Sequence, residues 1–228
     1  MHIVSLNKFS ILGFHEFKFP LLSLAAISSI ESCLNDPSLY SFYDCRGSDG
    51  YDKHMEDGIL SDSSSLYKTI SHLLIHDRGK ELDAFLNPLG LSSDSFDIHI
   101  YTYNNGFIPR PLHFDSIRNS VKLFVFLSPQ PKSFVCPYVI VPFSQFFNRI
   151  IYIFNKCYSI FACNHILHPY TASWASFLPK KYFYGNPGNA FLSLQKCVHG
   201  DYFTSFPNKN NTNSLILKKL LVVNFYPS

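Results

Sequence analysis

The distribution of strand-like segments is the feature that most restricts how this chain can fold. Beyond about residue 95, runs of β-branched, aromatic and leucine residues alternate with Pro, Gly and Asn, which interrupt strands and form turns. These runs are residues 96–103, 121–127, 135–141, 190–194 and 215–225. The pattern predicts that residues 96–228 are mostly β-sheet, with an Asn-rich hairpin or loop at 208–214.

The first 95 residues have a different pattern. Apolar residues recur at helical spacing in residues 20–34, and again in 66–74 and 82–86 on either side of Gly79, which predicts one helix followed by two short ones. Residues 43–65 are rich in Asp, Gly and Ser and have no sustained period, so we predict a long surface loop there. Residues 148–181 are likewise expected to be a loop. The fold class is therefore mainly β (α+β), with a helical and loop N-terminal part, 1–95, flanking a sheet core.

Composition limits the class of protein. With 228 residues, 46% of them hydrophobic and 15% charged, the chain can bury the core of one globular domain spanning residues 1–228.

No run of basic residues tracks a phosphate backbone, so nucleic acid is not an expected partner. The apolar stretches are too short or too interrupted for a transmembrane segment or signal. Six cysteines without a Cys-x-x-Cys pair favour a reducing, cytoplasmic location, and we expect a monomer or weak oligomer.

One His-x-Asp pair carries the most specific chemistry. On an extended segment His113 and Asp115 project to the same side, because side chains alternate along a strand. With one more histidine they would form the two-His, one-carboxylate triad that holds Fe(II) and leaves positions open. However, His199 and Asp201 form a second such pair, so spacing alone does not decide which pair is used.

A second candidate metal site has weaker spacing. Cys163, His165 and His168 form a Cys-x-His-x-x-His cluster with Cys157 just upstream. Structural zinc sites usually have tighter, paired ligand spacing. We therefore regard zinc there as the less favoured alternative.

Several segments together resemble a known family. Residues 110–115 (RPLHFD), 122–127 (KLFVFL) and 139–144 (VIVPFS) are similar, in order and spacing, to the core of the phytanoyl-CoA dioxygenase-like family of Fe(II)/2-oxoglutarate-dependent oxygenases. Residues 185–193 with 198–200 resemble the family's turn, strand and distal-histidine segment, and 218–226 resemble its closing strand. The resemblance runs from about residue 97 to the C-terminus.

This resemblance implies a double-stranded β-helix, or jelly roll, with N-terminal flanking helices. It implies that His113, Asp115 and His199 bind Fe(II), and that a basic residue on the closing strand binds the far carboxylate of the cosubstrate 2-oxoglutarate. Lys218 occupies that place, where the family usually has Arg. Lys219 is the alternative, since adjacent strand residues face opposite ways. A further candidate for the cosubstrate pocket is Lys122.

The implied activity is hydroxylation of a small-molecule, lipid or sugar substrate, with O2 and 2-oxoglutarate consumed. The chain departs from the family pattern at Gln145, where a His is frequent, at Asn189, where an Asp is frequent, and at Asp201, two residues after the distal His.

Two alternatives stay open. The jelly roll could be non-catalytic, or it could be a cupin-like metal-binding protein that does not use 2-oxoglutarate. Lys218 discriminates the oxygenase from these alternatives, because only a dicarboxylate cosubstrate requires a cation there.

Overall fold

The computed structural model describes residues 8–34, 40–44, 53–61, 64–76, 78–108, 112–133, 136–161, 170–202 and 218–227. Within these ranges, ten strands form two antiparallel sheets, one of seven strands and one of three. The prediction of a mainly β fold with helices before the sheet core is confirmed.

The larger sheet has the strand order β1-β8-β5-β10-β4-β3-β2. Its strands are β1 (Phe14–Glu16), β2 (Tyr40–Asp44), β3 (Lys53–Leu60), β4 (Leu91–Ile108), β5 (Val121–Phe126), β8 (Ala190–Leu194) and β10 (Lys218–Pro227). The closing strand β10 lies between β4 and β5, with Val222 opposite both His99 and Phe124. This register fixes which side chains of the three strands share the inner face.

The smaller sheet has the order β7-β6-β9. Its strands are β6 (Tyr138–Ile140), β7 (Lys181–Phe183) and β9 (His199–Asp201). Its inner face packs on the larger sheet through aromatic rings: Tyr138 lies 4.6 Å from Phe124 and 5.4 Å from Phe191, centroid to centroid. Aromatic rings bury large apolar areas, so this layer is the core that holds the two sheets together.

Four helices have defined bounds in the described residues: α1 (Leu24–Leu34), α2 (Ser65–Ser71), α3 (Gly79–Leu86) and α4 (Asn148–Phe161). A π-helical turn (His72–His76) follows α2, and 3-10 turns lie at Asn87–Leu89, Ser144–Phe146 and Ser173–Phe177. Residues 8–12 are also helical. None of the helices in the described ranges is both long enough and apolar enough to cross a bilayer.

The predicted helices before the sheet core are confirmed. Ser64 caps α2 by accepting a hydrogen bond from the Tyr67 amide at 3.0 Å, as expected of a side-chain oxygen at this position. The apolar positions Leu66 and Ile70 of α2 are buried. The segment ends at Gly90, whose φ of 72° lies in the left-handed region that favours glycine.

The predicted loop at residues 43–65 was wrong for much of that range. The described part includes β3, which pairs antiparallel with β4 and places Ile59 opposite His99. The sequence of β3, KHMEDGIL, has no strand-like run, and hydrogen bonding to the edge of β4 overrides the weak local preference. The N-terminal part therefore contributes β1, β2 and β3 to the larger sheet.

The predicted sheet segments otherwise match the observed strands, although β4 is longer and β6 is shorter than expected. The loop expected at 148–181 is wrong for residues 148–161, which form α4, while residues 162–169 lie outside the described residues. The predicted Asn-rich hairpin or loop at 208–214 falls outside the described residues.

Candidate metal centre

A short backbone ladder brings two histidines together. The His113 amide donates to the His199 carbonyl at 3.0 Å, and the His199 amide donates to the His113 carbonyl at 2.7 Å. This antiparallel pairing puts the two imidazole rings on one side, with centroids 4.9 Å apart. The Asp115 amide donates to the Gln195 carbonyl at 3.0 Å, so the carboxylate lies on the same side as both rings.

The side chains of His113, Asp115 and His199 converge closely. His113 Nε2 lies 3.4 Å from Asp115 Oδ1, and His199 Nε2 lies 3.5 Å from Asp115 Oδ2. The potential ligand atoms of all three residues fall within 4.8 Å of one another. Two ligands bound about 2.1 Å from one ion lie roughly 3 to 3.5 Å apart, so this donor set fits a single metal ion.

The environment of His199 prepares it as a ligand. Its side chain is only 3% exposed, and its Nδ1 lies 2.8 Å from the Cys197 carbonyl oxygen. A hydrogen bond there fixes the ring orientation and leaves Nε2 facing Asp115. Burial lowers the pKa of His199 and outweighs the opposing effect of the Asp115 carboxylate. The ring is therefore held in the neutral form that binds metals.

Asp115 has a strong cationic neighbour. Lys122 Nζ donates to Asp115 Oδ2 at 2.6 Å. Desolvation alone would raise the pKa of the Asp115 carboxyl, but Lys122 and then His199 outweigh it and hold that pKa well below its usual range. Burial favours the neutral amine of Lys122, yet the Asp115 charge prevails and raises the pKa of Lys122 above its ordinary value. Both groups are ionised at neutral pH.

A cavity of about 480 Å³ opens beside Asp115. Arg118 and Lys122 line it, together with two buried amide side chains, Gln195 and Asn224. Gln195 Oε1 and Asn224 Oδ1 face no hydrogen-bond donor in the described structure. Buried acceptors of this kind are normally satisfied, so the cavity offers hydrogen-bonding capacity next to the candidate metal site.

The candidate lysines on the closing strand lie elsewhere. Lys218 is 1% exposed, forms an ion pair with Asp201, and has its Nζ 4.6 Å from the centroid of the Tyr103 ring. Asp201 lies two residues after His199 on β9, hence on the same face and roughly 7 Å along the strand. Lys219 follows on the other face, with its amide donating to Ser128 Oγ at 2.9 Å. The register thus turns Lys218, and not Lys219, into the barrel.

Some features of the site were missed by sequence reasoning. The ion pair of Asp201 with Lys218 was not predicted, although the His-Gly-Asp spacing puts Asp201 on the face of His199. Gly200 between them has a φ of 154°, within the range that favours glycine. Cys163, His165 and His168 lie outside the described residues, so the alternative zinc cluster is untested; Cys157 is an exposed free thiol.

No protein-family model matches the sequence, and no curated protein matches it either. Similarity to known proteins is visible only at the level of structure.

Solved structures with the same fold cover nearly all of this chain. HygX from Streptomyces hygroscopicus, with nickel and 2-oxoglutarate bound, is 12% identical, with a TM-score of 0.64 over 99% of this chain and 87% of its own. The non-haem α-ketoglutarate-dependent epimerase SnoN of nogalamycin biosynthesis is 11% identical, with a TM-score of 0.60 over 99% and 82%. A Pseudomonas putida prolyl-4-hydroxylase is 10% identical, with a TM-score of 0.60 over the whole of both chains. At these identities the likeness establishes a common fold.

Proposed function

We propose that this chain is an Fe(II)- and 2-oxoglutarate-dependent dioxygenase of the phytanoyl-CoA dioxygenase-like family, which hydroxylates a small-molecule substrate. The observation that carries the proposal is the convergence of His113, Asp115 and His199 within 4.8 Å. Two imidazoles and one carboxylate are the donor set of non-haem Fe(II) oxygenases, and they leave metal positions open for other ligands. The common fold with HygX, SnoN and the prolyl hydroxylase supports the same reading.

In this proposal the three side chains hold the iron, and Lys218 binds the far carboxylate of 2-oxoglutarate. When bound, the metal and cosubstrate activate O2 for oxidation of a substrate C–H bond. The residues of the chain orient these groups. Lys122 holds the Asp115 carboxylate in place, and the Cys197 carbonyl sets the ring of His199. Such outer contacts commonly change metal affinity by about 10- to 100-fold.

The inner wall of the barrel limits access of water. Phe124, Phe191 and Tyr138 are almost completely buried and form one aromatic layer next to His199, whose ring stacks on Tyr138 at 5.7 Å. Excluding water strengthens electrostatic interactions within a site and suppresses side reactions. This layer would face a cosubstrate that extends from the metal towards Lys218.

In this proposal Lys218 must bind a second carboxylate. Its ammonium already has a carboxylate partner, Asp201, so a bound dicarboxylate must share or replace that partner. Lys also presents a point charge in place of the planar fork of Arg. We therefore expect this chain to bind 2-oxoglutarate more weakly than a relative with an unpaired Arg at that position.

The test is anaerobic titration with Fe(II) and then 2-oxoglutarate, observing the weak visible charge-transfer band of the chelate. We expect the band with the unmodified protein and with His72→Ala, an exposed histidine away from the site, and its loss in His113→Ala. Under air we expect succinate formation by the unmodified protein and by His72→Ala, and its loss in His113→Ala. A band or succinate yield that survives in His113→Ala refutes the assignment.

The Lys218–Asp201 pair also favours a second candidate, a cupin-like metal-binding jelly roll that does not use 2-oxoglutarate. In that case the buried lysine would serve only to neutralise Asp201. The same titration separates the two functions, because the second predicts metal binding that is lost in His113→Ala with no charge-transfer band in any variant.

A further inference from the structure

Helix α4 turns polar residues towards the protein. Asn148 and Asn155 are 3% and 5% exposed. Asn148 Nδ2 donates to the Lys196 carbonyl at 3.1 Å, and Asn155 Nδ2 donates to the Thr171 carbonyl at 2.8 Å. These two side chains lie about two helical turns apart on one face. Hydrogen bonds to fixed backbone carbonyls therefore determine how the helix is rotated.

The opposite face of α4 is apolar and exposed. Ile150, Ile153 and Phe154 are 67%, 60% and 66% exposed. At 100° per residue they point away from Asn148 and Asn155. Exposed apolar side chains also lie in the preceding turn and, within α4, as far as Tyr158. We call the whole set the outer stripe: Phe143, Phe146, Phe147, Ile150, Ile153, Phe154 and Tyr158.

The outward-facing apolar side chains make α4 unusual, although its Ile151 and Tyr152 do pack on buried apolar residues. A helix on the surface of a water-soluble domain normally packs its apolar face on the core and shows its polar face to solvent. Single exposed apolar residues are common, but a contiguous group of large ones marks a surface that meets another apolar phase. The outer stripe is such a group, since its members recur at helical spacing.

The stretch of sequence that contains the outer stripe is basic. Between Ser116 and Gly200 the sequence has eight Lys and Arg residues and no Asp or Glu, whereas the first 115 residues hold fifteen of the sixteen acidic residues. Two of the basic residues, Arg149 and Lys156, are exposed on α4 itself. Seven positions apart, they lie along one edge of the stripe. An apolar stripe with a basic edge complements a negatively charged lipid surface.

We propose that the outer stripe binds the surface of a bilayer that contains anionic lipids. The helix lies in the plane of the interface, with its Phe and Ile side chains among the upper acyl chains and Arg149 and Lys156 at the headgroups. A second copy of the chain is a poorer occupant. A symmetric dimer through this face would bring the basic segments of two chains together, and juxtaposed like charges disfavour association.

The first test measures vesicle binding by flotation, with phosphatidylcholine vesicles and with vesicles that also contain phosphatidylglycerol. We expect the protein to float with the anionic vesicles, and we expect Ile150→Ser with Phe154→Ser to abolish flotation. Phe19→Ser is the matched control, because Phe19 is 74% exposed but lies outside the stripe. The stripe substitutions remove no buried contact of the core, so the thermal unfolding midpoint should stay unchanged.

The second test separates charge from apolar contact. Arg149→Gln with Lys156→Gln should weaken binding to the anionic vesicles by roughly tenfold or more, since each basic residue near an anionic surface adds about 1 kcal/mol. Lys68→Gln with Lys80→Gln is the control, as both lysines are exposed on the acid-rich N-terminal part. Neither experiment needs iron or 2-oxoglutarate, so its outcome is independent of the proposed oxygenase activity.

Three results would overturn the proposal. The first is no flotation with anionic vesicles, and the second is flotation that persists in the stripe variant. The third is self-association in equilibrium sedimentation that is lost in the stripe variant and occurs without any vesicle binding. That last result would assign the stripe to a contact between copies of the chain.

Discussion

Two lysine–aspartate pairs point into the same barrel but differ in their access to solvent. In the pair of Lys122 with Asp115, 21% and 31% of the side-chain surfaces are exposed, and both residues border the cavity. In the pair of Lys218 with Asp201 the values are 1% and 10%. The first pair is placed to exchange its partners for a metal or ligand, whereas the second is enclosed by protein.

The difference follows from position along the strands. Lys122 lies at the start of β5 and Lys218 at the start of β10, and because these strands run antiparallel the two residues are at opposite ends of the inner face. One end is open towards the cavity, and the other is covered by the ring of Tyr103. An uncompensated buried charge is costly, so Lys218 can release Asp201 only in exchange for another carboxylate. We therefore assign metal binding to the open end.

Neutralising each aspartate in turn tests whether the two pairs differ in function. Asp115→Asn should lower the affinity for Fe(II), or for Mn(II) as a redox-stable probe, by more than about 100-fold, because it removes a charged metal ligand. Asp201→Asn should leave metal affinity unchanged. Isothermal titration calorimetry measures both variants. Equal losses would mean that the two aspartates are not functionally distinct.

The next largest effect concerns stability. Lys218→Met leaves Asp201 charged and buried, so we expect the free energy of unfolding to fall by about 3 to 5 kcal/mol. Lys122→Met breaks a more exposed pair and should cost about 1 kcal/mol or less. Urea denaturation of the metal-free protein compares them directly. A greater loss in Lys122→Met than in Lys218→Met would reverse the assignment of open and enclosed ends.

The smallest effect concerns the cosubstrate. If Asp201 competes for Lys218, Asp201→Asn should tighten 2-oxoglutarate binding by roughly tenfold, the scale of one charge-assisted hydrogen bond. The measurement is a titration of the charge-transfer band in the iron-loaded protein. Succinate, which lacks the keto group, serves as the control for binding through the far carboxylate alone. Weaker 2-oxoglutarate binding in Asp201→Asn would show that Asp201 supports the cosubstrate site.

Much of the fold could be predicted from the sequence. Strand β3 could not be predicted, and helix α4 was missed although a signal for it was present. The sequence of β3 contains Lys, Glu, Asp and Gly, and it is a strand only because β4 offers an unpaired edge. The region of α4 was expected to be a loop, although Phe147, Ile150 and Phe154 recur at helical spacing. That period was a usable signal. What it could not reveal is that the apolar face points outwards, which depends on the contacts of Asn148 and Asn155.

The candidate site likewise has one part that could be predicted from the sequence and one part that could not. Strand alternation alone predicted that His113 and Asp115 share one side of their segment, and that His199 and Asp201 share one side of theirs. The sequence also placed a lysine at the start of the closing strand. It could not identify the partner of that lysine, because a buried cation requires an acceptor without specifying which one.

The strand-rich C-terminal part, the N-terminal helices and the local pairing of chemically competent side chains are encoded locally, because they depend on periods of two and 3.6 residues within short segments. Three features follow instead from how distant segments pack: His199 completes the group around Asp115, Lys218 faces inwards onto Asp201, and α4 shows apolar side chains to the outside. Each of these depends on register and packing between segments far apart in the chain, and local sequence does not encode that register.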